Sequence, residues 1–346
     1  RPPAKNTAEP PSQDPKGPAI SRQGDLWLLG DHRLIVGDST KPATFKRLMN
    51  GQTAQCVFTD PPYGVSYKST DKNGQFDVIQ GDDLRRGQLK ELMFAAFSAA
   101  IHHTREDAAW YVWHASKTRD DVVQAFTDAG LVEPANGYII WVKPATMGWA
   151  DYNSAFEPCF YLHRQGVKPA FHGNAKNTTV WQLEEGVLKG SATSIGSGVI
   201  VTTQDGQELF ISAEPPKGKK LRHLHIQAGE PLLLQPREDV DNVWHVSRDT
   251  GHGKDVAIHP TMKPVELVRK ALKNSTLEGQ IVLDMFSGSG STIMGAEQTQ
   301  RVGYAVELDP LYADASIRRW QTMTGKAATH AEEKTTFDAI AKSRKP

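Results

Sequence analysis

The chain has 346 residues, 38% of them hydrophobic and 23% charged, and Lys+Arg balances Asp+Glu at 40 each. That is enough for one large or two medium domains with a full core, and a zero net charge gives no bulk signal of a polyanionic partner, leaving only local patches to supply one. No apolar run approaches the roughly 18 residues of a membrane helix, so no membrane association is expected.

The first residues, RPPAKNTAEPPSQDPKGPAI, carry six prolines and almost nothing to bury. Residues 1–22 read as a disordered linker. The chain opens on Arg1 rather than Met, which reads as part of a longer chain. Order is expected from about residue 23, with two short strands in GDLWLLGDHRLIVGDST, a helix in TFKRLMN and an apolar strand in QCVFTD. Cys56 lies inside that strand, and Cys159 is the only other cysteine. Two thiols so placed suit a reduced, cytoplasmic protein. QLKELMFAAFSAAIHH has helical apolar spacing; AAWYVWHAS, YIIWVKP and FEPCFYLHRQG read as strands, and TRDDVVQAFTDAG as a helix closed by Gly130. Strands alternating with helices predict a largely parallel, doubly wound sheet.

From about Val167 to Asp255 the helical period disappears. GVIVTTQDGQELFIS reads as a hairpin turning at Asp205-Gly206, and KKLRHLHI and PLLLQP as further short strands. This region, 167–255, is expected to form a β-rich module inserted between two halves, 23–166 and 256–325. In the second half, HPTMKPVELVRKALKNST predicts a helix opened by Pro264. GQIVLDMFSGSGSTIMGAEQ predicts strand, glycine-rich turn and helix, RVGYAVELDP a strand ending on acids, and LYADASIRRWQTM a helix. Residues 326–346 read as a polar, frayed tail.

The turn LDMFSGSGST lies where a nucleotide-type cofactor binds, between a strand and a helix N-terminus. A nucleoside triphosphate loop needs a lysine before Ser/Thr, but Gly290 is followed directly by Ser291 and Thr292. A dinucleotide turn prefers a third glycine where this chain has Ile293. A ligand with an amino-acid part and a ribose remains, and S-adenosylmethionine fits. Asp284 precedes the turn, and Glu307 ends the next strand where an acid takes ribose hydroxyls.

The corner Asp60-Pro61-Pro62-Tyr63 follows the QCVFTD strand. Two prolines remove two donors and fix two φ angles, so this is a rigid holder for its neighbours. An exocyclic base amine is a poor nucleophile whose N–H bonds need acceptors to bring the nitrogen toward sp³ geometry. Asp60 and the Pro61 carbonyl can supply them, and Tyr63 can stack on a flipped base.

Asp60-Pro61-Pro62-Tyr63 together with Phe286-Ser287-Gly288-Ser289-Gly290 resembles the amino-methyltransferases of DNA. The catalytic motif comes first, as in the circularly permuted β-group, and HPTMKP at 259–264 and VGDST at 36–40 match further motifs of that group. The resemblance runs from about Gly24 to Met323. It implies a doubly wound, mixed Rossmann-like sheet of the S-adenosylmethionine-dependent methyltransferase type, with the β-rich module serving target recognition. It further implies Asp60, Pro61, Pro62 and Tyr63 as catalytic residues. Asp38, His259, Thr261, Lys263, Asp284, Phe286, Gly288, Gly290, Ser291, Thr292 and Glu307 fall on the cofactor side, with Asp38 on the adenine amino group and Thr261 and Lys263 at the carboxylate end. Trp141 and Lys143 border the base pocket.

The remaining features read more simply. The histidines 223, 225, 245, 252 and 259 lack a cysteine companion and the reaction needs no metal, so none is expected. Lys219, Lys220 and Arg222 are a solvated edge or phosphate contacts. The resulting expectation is methylation of adenine N6 in double-stranded DNA, Asp at position 60 leaning away from cytosine N4. Methylation of RNA or a protein amide and a non-catalytic DNA-binding module are the rival readings; a homodimer and a partner nuclease are left open.

Overall fold

The computed structural model describes residues 18–64, 84, 87–134, 137–147, 154–173, 190–195, 198–203, 208–212, 243–245 and 262–344. The chain divides into two compact units, residues 1–176 with 240–346, and residues 177–239.

In the larger unit, β1 (Leu26–Leu29) and β2 (His32–Val36) form a hairpin, followed by α1 (Pro42–Met49) and β3 (Ala54–Thr59). Then come α2 (Gln88–Ile101), β4 (Thr104–Trp113), α3 (Arg119–Asp128), β5 (Leu131–Val132), β6 (Tyr138–Met147) and β7 (Ser154–Arg164). The smaller unit contributes β8 (Gly190–Ile195), β9 (Gly198–Thr203) and β10 (Glu208–Ser212). The larger unit resumes with β11 (Val243–His245), α4 (Val265–Ser275), β12 (Ile281–Asp284), α5 (Ser291–Gln298), β13 (Val302–Glu307), α6 (Pro310–Thr324), β14 (Thr329–His330) and α7 (Phe337–Ser343).

The main sheet runs β11-β6-β7-β4-β3-β12-β13-β2-β1-β14, with β5 paired to β7. Its centre, β4-β3-β12-β13-β2, is parallel throughout, and β7, β1 and their outer neighbours bring in antiparallel pairing. The central strands read as continuous apolar runs because both faces are covered. Successive residues of each strand feed opposite layers. Val57, Trp110, Val112, Leu283 and Val306 pack against α1, α2 and α3, whereas Cys56, Phe58, Tyr111, Trp113 and Val282 face α4. A third cluster joins Trp27, Leu34 and Ala305 to α5, α6 and α7. Cys56 and Cys159 are buried free thiols.

The chain leaves β3 toward β4 on one side and leaves β12 toward β13 on the other. The order therefore reverses between β3 and β12. Ligands of open α/β sheets bind at such a point, beyond the carboxyl ends of the strands. Among the described residues no helix is long and apolar enough to cross a membrane.

Three boundaries differ from the sequence expectation. The β-rich unit is narrower than 167–255, because Ala170 and His172 hydrogen-bond to Asp107 and Asn274, and β11 adds to the main sheet in parallel with β6. Its three strands form an antiparallel sheet, β10-β9-β8, matching the expected hairpin. The KKLRHLHI and PLLLQP segments lie outside the described residues. At the start of the chain, order begins before residue 23: the Ile20 and Ser21 amides donate to the Asp314 carboxylate.

The third difference is the tail, which is folded rather than frayed. β14 extends the sheet beside β1, and α7 buries Phe337 and Ile340 on one face. Two apolar residues three apart in a polar segment are a weak signal, and their partners, Trp27 of β1 and residues of α6, come only with the fold. The Phe337 ring stands edge-on to Trp27 at 5.2 Å, and the Arg344 guanidinium reaches the Asp25 carboxylate at 2.5 Å. Phe337→Ala is expected to cost about 3 kcal/mol of unfolding free energy, the range for a buried aromatic truncation. Urea denaturation checks this, and an unchanged midpoint would mean that the last helix adds nothing.

Candidate active site

Thr59 closes β3 and Asp284 closes β12, and their side chains join the two strand ends. The Thr59 hydroxyl donates to Asp284 Oδ1 at 3.1 Å and accepts from the Met285 amide at 3.3 Å. Asp284 also accepts from the Phe286 amide at 3.1 Å and from the Thr292 hydroxyl at 2.6 Å. Burial holds its carboxyl up at about 6 despite these donors. Asp284 is thus the knot between the end of β3, the glycine-rich turn and the start of α5.

Beyond the knot, residues 285–290 fold back over the strand ends. Gly288 and Gly290 have φ of 51° and 81°, left-handed values that suit glycine. Gly290 caps α5, and a Cβ there would lie 2.8 Å from Ser316 Oγ. Its lack of a side chain therefore serves packing against α6 as well as any ligand. The Ser287 hydroxyl is buried and has no hydrogen-bond partner among the described residues. Glu307 accepts from the Gly288 amide at 2.6 Å and the Asp309 amide at 2.9 Å, and burial pushes its carboxyl up to about 8. Ser39 ties the VGDST segment to the turn by donating to the Met285 carbonyl at 2.6 Å. Asp38, expected on an adenine amino group, spends Oδ1 on the Thr40 amide and hydroxyl at 2.8 and 2.7 Å.

Asp60, Pro61, Pro62 and Tyr63 follow β3 directly. Tyr63 does not project freely: its hydroxyl donates to Asp60 Oδ1 at 2.8 Å. Lys263 was expected at a cofactor carboxylate. The structure instead puts its ammonium 2.7 Å from Asp60 Oδ2, 2.9 Å from the Tyr63 hydroxyl and 3.0 Å from Glu157 Oε2. The segment that enters α4 is held there by Ser291, whose hydroxyl donates to the Lys263 carbonyl at 2.8 Å. The Tyr63 and Trp113 rings lie 5.2 and 5.5 Å from the ammonium.

These groups set one another's protonation. Burial alone would depress Lys263, but Asp60 and Glu157 outweigh it and hold the ammonium above its usual range. Burial, helped by Glu157, pushes the Asp60 carboxyl up against the pull of Lys263. Burial followed by the charges of Asp60 and Glu157 raises Tyr63.

Glu157 was not among the sequence candidates. It sits on β7 opposite Trp141, on the face it shares with Cys159. A carboxylate at an inward position of FEPCFYLHR was the available signal. Trp141 lies in the core, 2% exposed and edge-on to Trp113 at 6.3 Å. The Lys143 side chain, His259, Thr261, Lys219, Lys220 and Arg222 lie outside the described residues.

A mixed sheet with a parallel centre, whose reversal point carries a glycine-rich turn and an acidic corner, is a doubly wound α/β fold. Residues 54–318 match the model of the N6/N4 DNA methylase family, and the chain belongs to that family. It is 37% identical over 79 residues to the Type II methyltransferase M.Cfr9I of Citrobacter freundii, a match covering 23% of this chain and 25% of that protein. It is 29% identical over 110 residues to M.BglII of Bacillus subtilis, covering 32% of this chain and 28% of that one. A longer match, 23% identical over 218 residues, relates 56% of this chain to 78% of M2.DpnII of Streptococcus pneumoniae. The PvuII DNA methyltransferase, described as cytosine-N4-specific, shares the fold with a TM-score of 0.50 over 94% of both chains at 13% identity.

Two outcomes follow from the site geometry. Gly290→Ala should lower the melting temperature through its left-handed φ and its contact with Ser316, and Gly290→Ala with Ser316→Gly should recover part of the loss. No recovery in thermal scans would remove α6 packing as the cause. Glu307 has a folded value near 8 against 4.5 for an ordinary glutamate. Because the folded value is the higher one, its contribution to stability is complete below pH 4.5 and is lost as pH rises toward 8. Glu307→Gln should flatten melting temperature against pH across that window; an unchanged slope would mean that the carboxyl is ionised throughout.

Proposed function

We propose that this chain is an S-adenosylmethionine-dependent methyltransferase acting on adenine N6 of a base flipped out of double-stranded DNA. One observation carries the reading: the Thr59–Asp284 hydrogen bond joins the ends of β3 and β12, so the Asp60 corner and the glycine-rich turn leave the sheet side by side.

The turn suits the cofactor. Its backbone is bent at Gly288 and Gly290, and the buried Ser287 hydroxyl has no partner among the described residues. Phe286, Ser287, Gly288 and Gly290 would hold the methionine part, Glu307 the ribose and Asp38 the adenine edge. S-adenosylmethionine, when bound, supplies a methyl group on a positively charged sulfur. The protein's own part is positioning and charge complementarity. Asp60 and the Pro61 carbonyl accept the two N–H bonds of the target amine and draw its lone pair out of conjugation. Tyr63 stacks on the base, and Asp60 is the nearest acceptor for the proton that the methylated amine must lose.

Adenine is preferred over cytosine because Asp stands at position 60, where the cytosine enzymes of the resembling group more often carry Ser. The position of unit 177–239 between the two sequence halves supports target recognition as its role, with Lys219, Lys220 and Arg222 on phosphates. Such an enzyme works in the cytoplasm, where its DNA and its reduced thiols are both at home.

Incubation with methyl-labelled cofactor and DNA, RNA or protein tests the substrate class; label should enter DNA only. Nucleoside digestion should release N6-methyladenine, and N4-methylcytosine alone would reverse the choice of base. Asp60→Ala should abolish transfer while leaving cofactor affinity by calorimetry nearly unchanged; loss of that affinity would remove Asp60 from the amine.

A further inference from the structure

Both oxygens of Asp60 are already engaged. Oδ2 accepts from the Lys263 ammonium at 2.7 Å and Oδ1 from the Tyr63 hydroxyl at 2.8 Å. An acceptor clamped by an ammonium is a weak partner for a base amine, and a tyrosine held on Asp60 is not free to adjust its ring to a base. The same two donors lie within reach of a second acceptor. Glu157 Oε2 is 3.0 Å from the Lys263 ammonium and 3.5 Å from the Tyr63 hydroxyl.

We propose that Glu157 is a positioning residue that takes Lys263 and Tyr63 over from Asp60 when the target amine arrives. The inference rests on the methyltransfer reading above. Two carboxylates around one ammonium leave a net charge of −1, so Lys263 stays neutralised on either partner and the handover exposes no unpaired cation. The distances require only a short swing of two side-chain ends. α4, β3 and β7 hold the backbone positions, and Trp113 walls the ammonium on the apolar side. No proton need move in this step, and the one released later by the amine stays with Asp60. A structural reading gives Glu157 only the role of a counter-ion that keeps Lys263 buried. The two differ in what Lys263 does once Glu157 is lost: under the handover it locks Asp60, so removing it should help.

The test starts with wild type on DNA, and its methylated site is mapped by sequencing. Absence of label in wild type would sink the methyltransfer reading itself, whatever Glu157 does. Duplexes bearing that site, with 2-aminopurine placed 3′ to the target base, then report base capture by fluorescence, alongside single-turnover transfer. Glu157→Gln should keep cofactor affinity and its melting transition but lose about 10- to 100-fold in transfer rate and base capture, the size of one charge-assisted hydrogen bond. Glu157→Asp should recover part. Adding Lys263→Met to Glu157→Gln should raise base capture above that of Glu157→Gln alone. A double variant equal to or worse than Glu157→Gln, or a Glu157→Gln enzyme as fast as wild type, overturns the handover. If Glu157→Gln shows no melting transition, Glu157→Asp with and without Lys263→Met decides by the same comparison.

Discussion

The lateral pairing of β3 with β12 is the contact on which both halves of the site depend. Cys56 and Val57 lie beside Val282 and Leu283 in parallel register, and Thr59 and Asp284, 225 residues apart in sequence, hydrogen-bond across the strand ends. Parallel strands cannot be joined by a tight turn, so nothing local enforces this neighbourhood. It is enforced by burial on both faces. Val57 and Leu283 enter one apolar cluster, while Cys56 and Val282 enter another with α4. A slip of one residue would exchange those faces and separate Asp60 from the glycine-rich turn.

The acidic corner is a costly thing to build there. Placing two carboxylates and an ammonium largely out of water incurs a desolvation penalty that their mutual attraction does not reliably offset. Apolar residues of similar size would serve stability as well. The cluster is therefore best explained by what it does to Asp60, whose acceptor strength depends on how much of the Lys263 ammonium it carries. Lys263 in turn is placed by the entry into α4, and its carbonyl by Ser291 at the start of α5. Residues at the entry to α4 and the start of α5 thus help to set the charge balance around Asp60.

The glycine-rich turn shows two demands met by one residue type. Gly290 needs its left-handed φ to start α5, and it needs no Cβ because Ser316 of α6 lies against it. Close approach of the proposed cofactor would be a third use of the same bare backbone. Read from sequence, only the last of these is suggested, because the identity of the helix packed behind the turn is a tertiary fact.

What the sequence determined by itself is whatever local order and period encode: the alternation of strands and helices, the rigid Asp-Pro-Pro-Tyr corner, the strand-turn-helix around Gly288 and Gly290, and the hairpin of β9 and β10. The motif order also carried the family. What only the tertiary structure decided concerns side chains whose partners are remote. Lys263, in a motif read as facing a cofactor, turns instead to Asp60 and Glu157, two carboxylates remote from it in sequence that the sheet brings to one place. One acid at an inward position of an apolar strand marks Glu157 as unusual without saying what it serves; its meaning comes from two neighbours far away in the chain. That Trp141 meets Trp113 edge-on is decided by β6, β7 and β4 lying side by side. The tail became ordered because β1 offered an open edge, and an edge is a property of the sheet that no residue of the tail contains.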